Sequence, residues 1–65
     1  MIALTRLSGE KFVLNCELIR TIEERPDTVI TLVSGDRMVV KESSKEVIGR
    51  VIDYGRHLRR LLPPS

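Results

Sequence analysis

Aromatic residues are nearly absent from this 65-residue chain, which has one Phe, one Tyr and no Trp. Aliphatic side chains therefore have to form the core. A chain of this length buries only about 60% of the surface that it exposes when unfolded, so its core is marginal. Because domains this small commonly gain stability from self-association, we expect a homo-oligomer.

Cysteine and histidine are equally scarce. Cys16 is the only cysteine and His57 the only histidine, so the chain cannot form an internal disulfide and has no Cys/His spacing typical of a zinc site. We expect neither a metal nor another cofactor. No Ser or Cys stands near His57 in a pattern typical of nucleophilic catalysis. We therefore also expect that the chain is not an enzyme.

Long apolar runs are missing as well. No segment approaches the roughly 18 consecutive apolar residues of a transmembrane helix. The N-terminus lacks the basic and apolar segments of a signal peptide. A single cysteine without a partner is typical of proteins from reducing compartments. Together these features predict a cytoplasmic protein.

The sequence does contain a series of short β-prone segments separated by turn residues. Gly9, Pro26 and Gly35 mark three of the turns, since glycine accepts a positive φ and proline has a fixed φ. This spacing predicts a small antiparallel sheet of about five short strands. The predicted strands span residues 1–7, 11–14, 18–24, 28–33 and 37–41.

The period of the pattern changes after residue 42. Ser43 and Glu46 match a capping box at the start of a helix. A helical pattern then runs from about residue 44 to 62, where two prolines stop it. The predicted fold class is α+β: a single domain of residues 1–62, with strands over about 1–41 and one C-terminal amphipathic helix, followed by a tail of residues 63–65.

The apolar side of this helix is wider than contact with one small sheet requires. Its residues cover about half of the circumference and follow the spacing of a helix seam. One flank would stay in water unless another chain covered it, and Gly55 would permit a second backbone to approach closely. The candidate oligomer or partner interface comprises Val47, Val51, Ile52, Tyr54, Gly55, Leu58, Leu61 and Leu62.

Positive charge is concentrated towards the C-terminal end of the helix. Residues 50–60 contain four arginines and one aspartate, whereas the rest of the chain has slightly more acidic than basic residues. These cations either complement the helix dipole or contact an anionic partner. The candidate contacts to an anionic partner are Arg6, Arg56, Arg59 and Arg60.

Several segments together resemble one protein family. They are the opening "LTRL" with "FVLN" after it, the central "LIRTIEERPDTVITL", the closing "VVKES" and the "EVI" at the helix start. In this order, over residues 2 to about 54, the chain is similar to the small flagellar and swarming-motility proteins, often called the FlbD or SwrD family. The resemblance implies a non-enzymatic cytoplasmic accessory protein that supports flagellar motor power through protein–protein interaction. Stator or rotor proteins would be its partners, the motor its site of action, and no cofactor is implied.

The first strand and turn also resemble the opening of the carbon-storage regulators, which are RNA-binding post-transcriptional regulators. The matching residues are Leu4, Thr5, Arg6, Gly9 and Glu10. That family places a basic residue after its last strand, where this chain has an acidic residue beside a basic one, which weakens phosphate contact. For this reason RNA binding through Arg6 is kept as the alternative function and not as the main one. Peripheral membrane association is a weaker one, because the predicted helix lacks Trp and Phe.

Overall fold

The computed structural model describes the backbone of residues 1–61 and the side chains of residues 1–58. The predicted α+β class, with short antiparallel strands before one C-terminal helix, is confirmed. In chain order the elements are β1 (Ile2–Thr5), β2 (Lys11–Leu14), a 3₁₀-helix (Cys16–Leu18), β3 (Ile19–Glu24), β4 (Thr28–Leu32), β5 (Arg37–Val40) and α1 (Ser44–Leu61).

The five strands are divided between two antiparallel sheets. β1 and β2 form a hairpin, and β3, β4 and β5 form a three-stranded sheet in that order. An isolated bridge between Arg6 and Val40, with a hydrogen bond from the Lys41 N–H to the Thr5 carbonyl (2.8 Å), joins β1 to β5. The sequence suggested one sheet, and the structure divides it because β1 and β5 meet only at this bridge within the described residues.

Two turns depend on glycine. Gly9 has a φ of 96° and Gly35 a φ of 94°, a left-handed conformation that residues with a Cβ adopt only at a cost. The Gly9 N–H donates to the Arg6 carbonyl, and the Gly35 N–H donates to the Leu32 carbonyl, both at 2.9 Å. Both turns lie where the sequence predicted them. The first strand nevertheless ends at Thr5, not at residue 7, because the turn already begins at Arg6.

A short 3₁₀-helix separates β2 from β3. The sequence indicated a break in the strand pattern here but not its conformation. The side-chain oxygen of Asn15 accepts the Glu17 N–H at 3.1 Å and thereby caps this helix. Consequently β3 begins at Ile19, one residue later than predicted.

One hydrophobic cluster holds both sheets and the helix together. Phe12 and Tyr54, the two aromatic residues, are only partly buried and pack against this cluster from outside. Aliphatic side chains therefore form its centre, as the composition indicated. Its buried members are Ile2, Leu4, Leu14, Ile30, Val40 and Val47.

Candidate interaction surface

The start of α1 is fixed by side chains that precede the helix. The Ser43 hydroxyl oxygen accepts the Glu46 N–H at 3.2 Å, which is half of the predicted capping box. A carboxylate oxygen of Glu24 in β3 accepts the Ser44 N–H at 2.8 Å. Hydrogen bonds with Ser44 lower the pKa of Glu24, and its negative charge complements the helix dipole. β3 therefore sets the position of the helix start.

A second set of polar contacts ties α1 to β1. Glu42, with a side chain only 9% exposed, accepts hydrogen bonds from the Thr5 N–H (2.9 Å) and the Thr5 hydroxyl (2.8 Å). Arg50 lies 3.4 Å from the Glu42 carboxylate and also donates to the Ala3 carbonyl. Burial raises the pKa of Glu42, but the hydrogen bonds from Thr5 and the charge of Arg50 together outweigh it and lower that pKa below its ordinary value.

These contacts occupy the outer edge of β1. The Glu42 carboxylate accepts the Thr5 N–H, and the Arg50 guanidinium donates to the Ala3 carbonyl. Another strand would pair with the same backbone groups. We call the side of α1 that carries Arg50 the β1-facing flank. On this flank, Glu42 and Arg50 have their partners within the chain.

A groove of about 580 Å³ runs along the β1-facing flank. Residues of β1 and Tyr54 supply its apolar lining, and Lys11, Asp53 and His57 add polar side chains. Since these charges have both signs, no single sign dominates the groove. Within residues 1–58, no group of His, Cys, Asp and Glu side chains could hold a metal ion.

Three residues of the predicted interface lie on the side of α1 that faces the sheets. Val47 has no exposed surface and belongs to the core. Val51 and Tyr54 are half-buried and pack against it. Val47 therefore presents nothing to another chain, and the other two present only their outer parts.

The flank of α1 opposite Arg50 is open. Ile48 is 46% exposed and Ile52 is 48% exposed, and residues four apart lie side by side on a helix. Gly55 is half-buried but adds open space, because a Cβ built on it would meet no heavy atom within 4 Å apart from its chain neighbours and the adjacent helix backbone. We call Ile48, Ile52 and Gly55 the exposed helix strip.

The helix extends beyond the core. Tyr54 is the last described side chain of α1 that packs against the core, yet the helix continues to Leu61. Leu58 is half-buried without joining the core. The molecule accordingly measures 40 Å in its longest direction and 22 and 18 Å in the others. None of the described helices is long and apolar enough to cross a membrane.

Two exposed basic residues border the exposed helix strip. Lys45 lies before Ile48 and Arg56 follows Gly55. The ion pairs formed by described side chains involve Arg6 and Arg50, not these two residues.

Arg6, another predicted contact to an anionic partner, is engaged within its own hairpin. Its guanidinium carbon lies 4.4 Å from the centroid of the Phe12 ring. Its Nε lies 3.7 Å from the Glu10 carboxylate. The side chain is still 45% exposed, so Arg6 packs on Phe12 and keeps an accessible surface.

A comparison of the sequence with models of protein families matches residues 1–58 to FlbD, described as flagellar and swarming motility proteins. The chain belongs to this family. The resemblance noted in the sequence is thereby confirmed, and an association with flagellar or swarming motility follows. No curated protein and no solved structure matches the chain.

The FlbD match covers both sheets, the helix start and α1 as far as Leu58. It therefore includes the exposed helix strip and the contacts between Glu42 and Arg50. Four predicted contact residues lie beyond it, and their side chains lie outside the described residues, as does the predicted tail of residues 63–65. These four are Arg59, Arg60, Leu61 and Leu62.

Two features of this family member were missed in the sequence. Ile48 was not assigned to the interface, although its position four residues before Ile52 was a signal for a shared flank. The role of Glu42 had no sequence signal, because its hydrogen-bond partner Thr5 is 37 residues away.

Proposed function

We propose that the protein is a non-enzymatic accessory protein that supports flagellar motor power by binding another protein through α1. Membership of the FlbD family supplies the link to motility. The exposed helix strip supports the second part of the proposal, that α1 binds another protein. Ile48 and Ile52 form a contiguous apolar surface on a projecting helix, unlike the single exposed apolar side chains that are normal on proteins.

The proposed partner is a second copy of the chain or a stator or rotor protein, and the proposed place of action is the cytoplasm at the flagellar motor. A second copy fits the small core of a 65-residue chain. A stator or rotor protein fits the association of the family with motility. Either partner would cover the side of α1 that the sheets leave open.

The proposal involves no catalytic step and no cofactor. The sequence offers one cysteine and one histidine as candidates for nucleophilic or general-base chemistry. Cys16 lies in the 3₁₀-helix and is half-buried, whereas His57 is exposed on α1. An interaction module requires neither of them.

The torque of single flagellar motors tests the proposal. Motors of a strain that lacks the gene would be compared with those of the parent strain by tethered beads, and filaments would be counted in the same cells. We expect a normal number of filaments and reduced torque. Expression of the wild-type chain should restore the torque.

Too few filaments, with normal torque in those that remain, would contradict the proposal and indicate a role in assembly or gene expression. RNA binding would then be the next hypothesis, tested by the salt dependence of binding and its loss in Arg6→Ala. Co-sedimentation with liposomes would test peripheral membrane association in the same way.

A further inference from the structure

The charged residues of α1 are segregated by sign around the exposed helix strip. At about 100° per residue, Lys45 and Arg56 lie within about 40° of Ile52 around the helix axis. Glu46 and Asp53 lie about 100° or more from Ile52. Both acidic residues belong to the β1-facing flank, where Glu46 is near Arg50 and Asp53 lines the groove.

The two sides of α1 also differ in how positive charge is compensated. On the β1-facing flank, Arg50 has two carboxylate neighbours, Glu42 at 3.4 Å and Glu46 at 3.9 Å. Beside the exposed helix strip, Lys45 and Arg56 have no carboxylate within ion-pair distance among the side chains of residues 1–58. The strip is therefore an apolar surface bordered by uncompensated positive charge.

We infer that the exposed helix strip binds an acidic amphipathic helix of a different protein. The inference rests on the proposed function and specifies the chemistry of the partner. Apolar side chains of the partner would cover Ile48 and Ile52, and its carboxylates would lie against Lys45 and Arg56. Its backbone would approach most closely at Gly55, where no side chain intervenes.

A second copy of the chain fits this surface less well. In a symmetric dimer the same patch meets itself. An antiparallel pair of helices centred between Ile48 and Ile52 would place Lys45 close to Arg56 of the other copy. Like charges that face each other across an interface oppose association.

An anionic membrane also carries charge opposite to that of Lys45 and Arg56. Helices that lie in a membrane interface present Trp, Phe or Leu on a broad apolar face. The exposed helix strip presents two isoleucines, because Val47, Val51 and Tyr54 pack against the sheets. This narrow strip suits a single helix better than a lipid surface.

Titration of the full chain with designed peptides tests the inference. The probe is an amphipathic helical peptide with Leu on one face and Glu along both borders, and the control peptide has Lys in place of Glu. We expect salt-dependent binding of the acidic peptide alone. The double charge reversal Lys45→Glu/Arg56→Glu should weaken it about tenfold, since each exposed ion pair contributes modestly. Lys11→Glu/Arg37→Glu, which reverses two exposed charges on the strands, should bind as the wild type does.

Three results would overturn the inference. One is equal binding of both peptides, or binding of neither. Another is binding to vesicles that contain about one third phosphatidylserine without binding of the acidic peptide. The third is self-association of the free chain that Ile52→Asp abolishes in sedimentation equilibrium, which would assign the strip to a second copy.

Motor torque separates failure of this inference from failure of the proposed function. Chains with Ile48→Ser/Ile52→Ser and with Lys45→Glu/Arg56→Glu should both lose the torque that the wild-type chain restores. Loss of torque with the isoleucine variant alone would exclude the acidic partner and leave the proposed function in place. Unchanged torque in the strain without the gene would contradict both.

Discussion

On the β1-facing flank of α1, Arg50 contacts Glu42 and the Ala3 carbonyl, so its positive charge is compensated within the chain. On the opposite flank, Ile48 and Ile52 remain about half exposed. Arg50 is 42% exposed but has its partners within the chain, whereas Ile48 and Ile52 leave apolar surface in contact with water.

We propose that the two flanks serve different purposes. Groups that satisfy each other inside the chain contribute to the free energy of folding. Groups that stay open contribute little to folding, because most surface substitutions change stability by only about 0.5 kcal/mol. Substitutions on the two sides of α1 should therefore separate stability from motility.

The largest expected difference is between Val47→Asp and Ile52→Asp. Val47→Asp places a carboxylate in the core and should unfold the chain, because an unpaired buried charge costs an amount comparable to the whole stability of about 5 kcal/mol. Ile52→Asp should leave the melting temperature within about 4 °C of the wild-type value. Thermal unfolding followed by circular dichroism measures both. An equal loss of structure in the two variants would contradict the open position of Ile52.

Next in size is the effect of Glu42→Ala. It removes the acceptor for two hydrogen bonds from Thr5 and one partner of Arg50, and should lower the free energy of unfolding by about 2 kcal/mol. Glu46→Ala removes a 60% exposed carboxylate at 3.9 Å from Arg50 and should cost less than about 0.5 kcal/mol. Urea denaturation compares them. A similar loss of unfolding free energy in both variants would show that Glu42 does not hold α1 against β1.

A smaller effect is expected at the start of the helix. Ser43→Ala removes the hydroxyl oxygen that accepts the Glu46 N–H, and loss of such a cap costs about 1 kcal/mol. Ser8→Ala, in the exposed turn between β1 and β2, is the matched control and should be neutral. The same urea series would detect the difference, and an unchanged midpoint for Ser43→Ala would contradict the role of this cap.

The smallest expected effect is on the pH dependence of stability. The pKa of Glu24 and the pKa of Glu42 are both lowered by folding, so the folded chain binds fewer protons than the unfolded chain. Their contribution is present above the ordinary carboxyl pKa of 4.5 and is lost as the pH falls through the lowered values. The free energy of unfolding should therefore decrease below about pH 4.5. The decrease should be smaller in Glu42→Gln, and an equal decrease would argue against the ionised Glu42.

The elements with strong local signals could be predicted closely. β4 was predicted at residues 28–33 and lies at Thr28–Leu32, and the helix was predicted at 44–62 and lies at Ser44–Leu61. β-branched residues, turn glycines and a capping serine determine such elements locally. The division of the strands into two sheets was not predictable. It depends on how many residues of β1 and β5 pair with each other, and these two strands are distant in the sequence.

The candidate interaction surface was predictable only in part. The spacing of the apolar residues predicted a wide apolar side on α1. That spacing did not indicate which part of this side would pack in the core. The structure places Val47 in the core and Ile48 in the open. Likewise, the link between Arg50 and β1 joins residues 47 positions apart, a distance at which a single sequence carries no pairing signal.

The central claim is that the exposed helix strip supports motor power by contact with a partner. Its most direct test is the torque of single motors in cells that produce the Ile48→Ser/Ile52→Ser chain at the wild-type level. The control is Val33→Ser, which alters a 61% exposed side chain in the turn after β4. We predict torque as low as in the strain without the gene, normal filament numbers and an unchanged melting temperature, with wild-type torque in the control. Wild-type torque with Ile48→Ser/Ile52→Ser would contradict the claim.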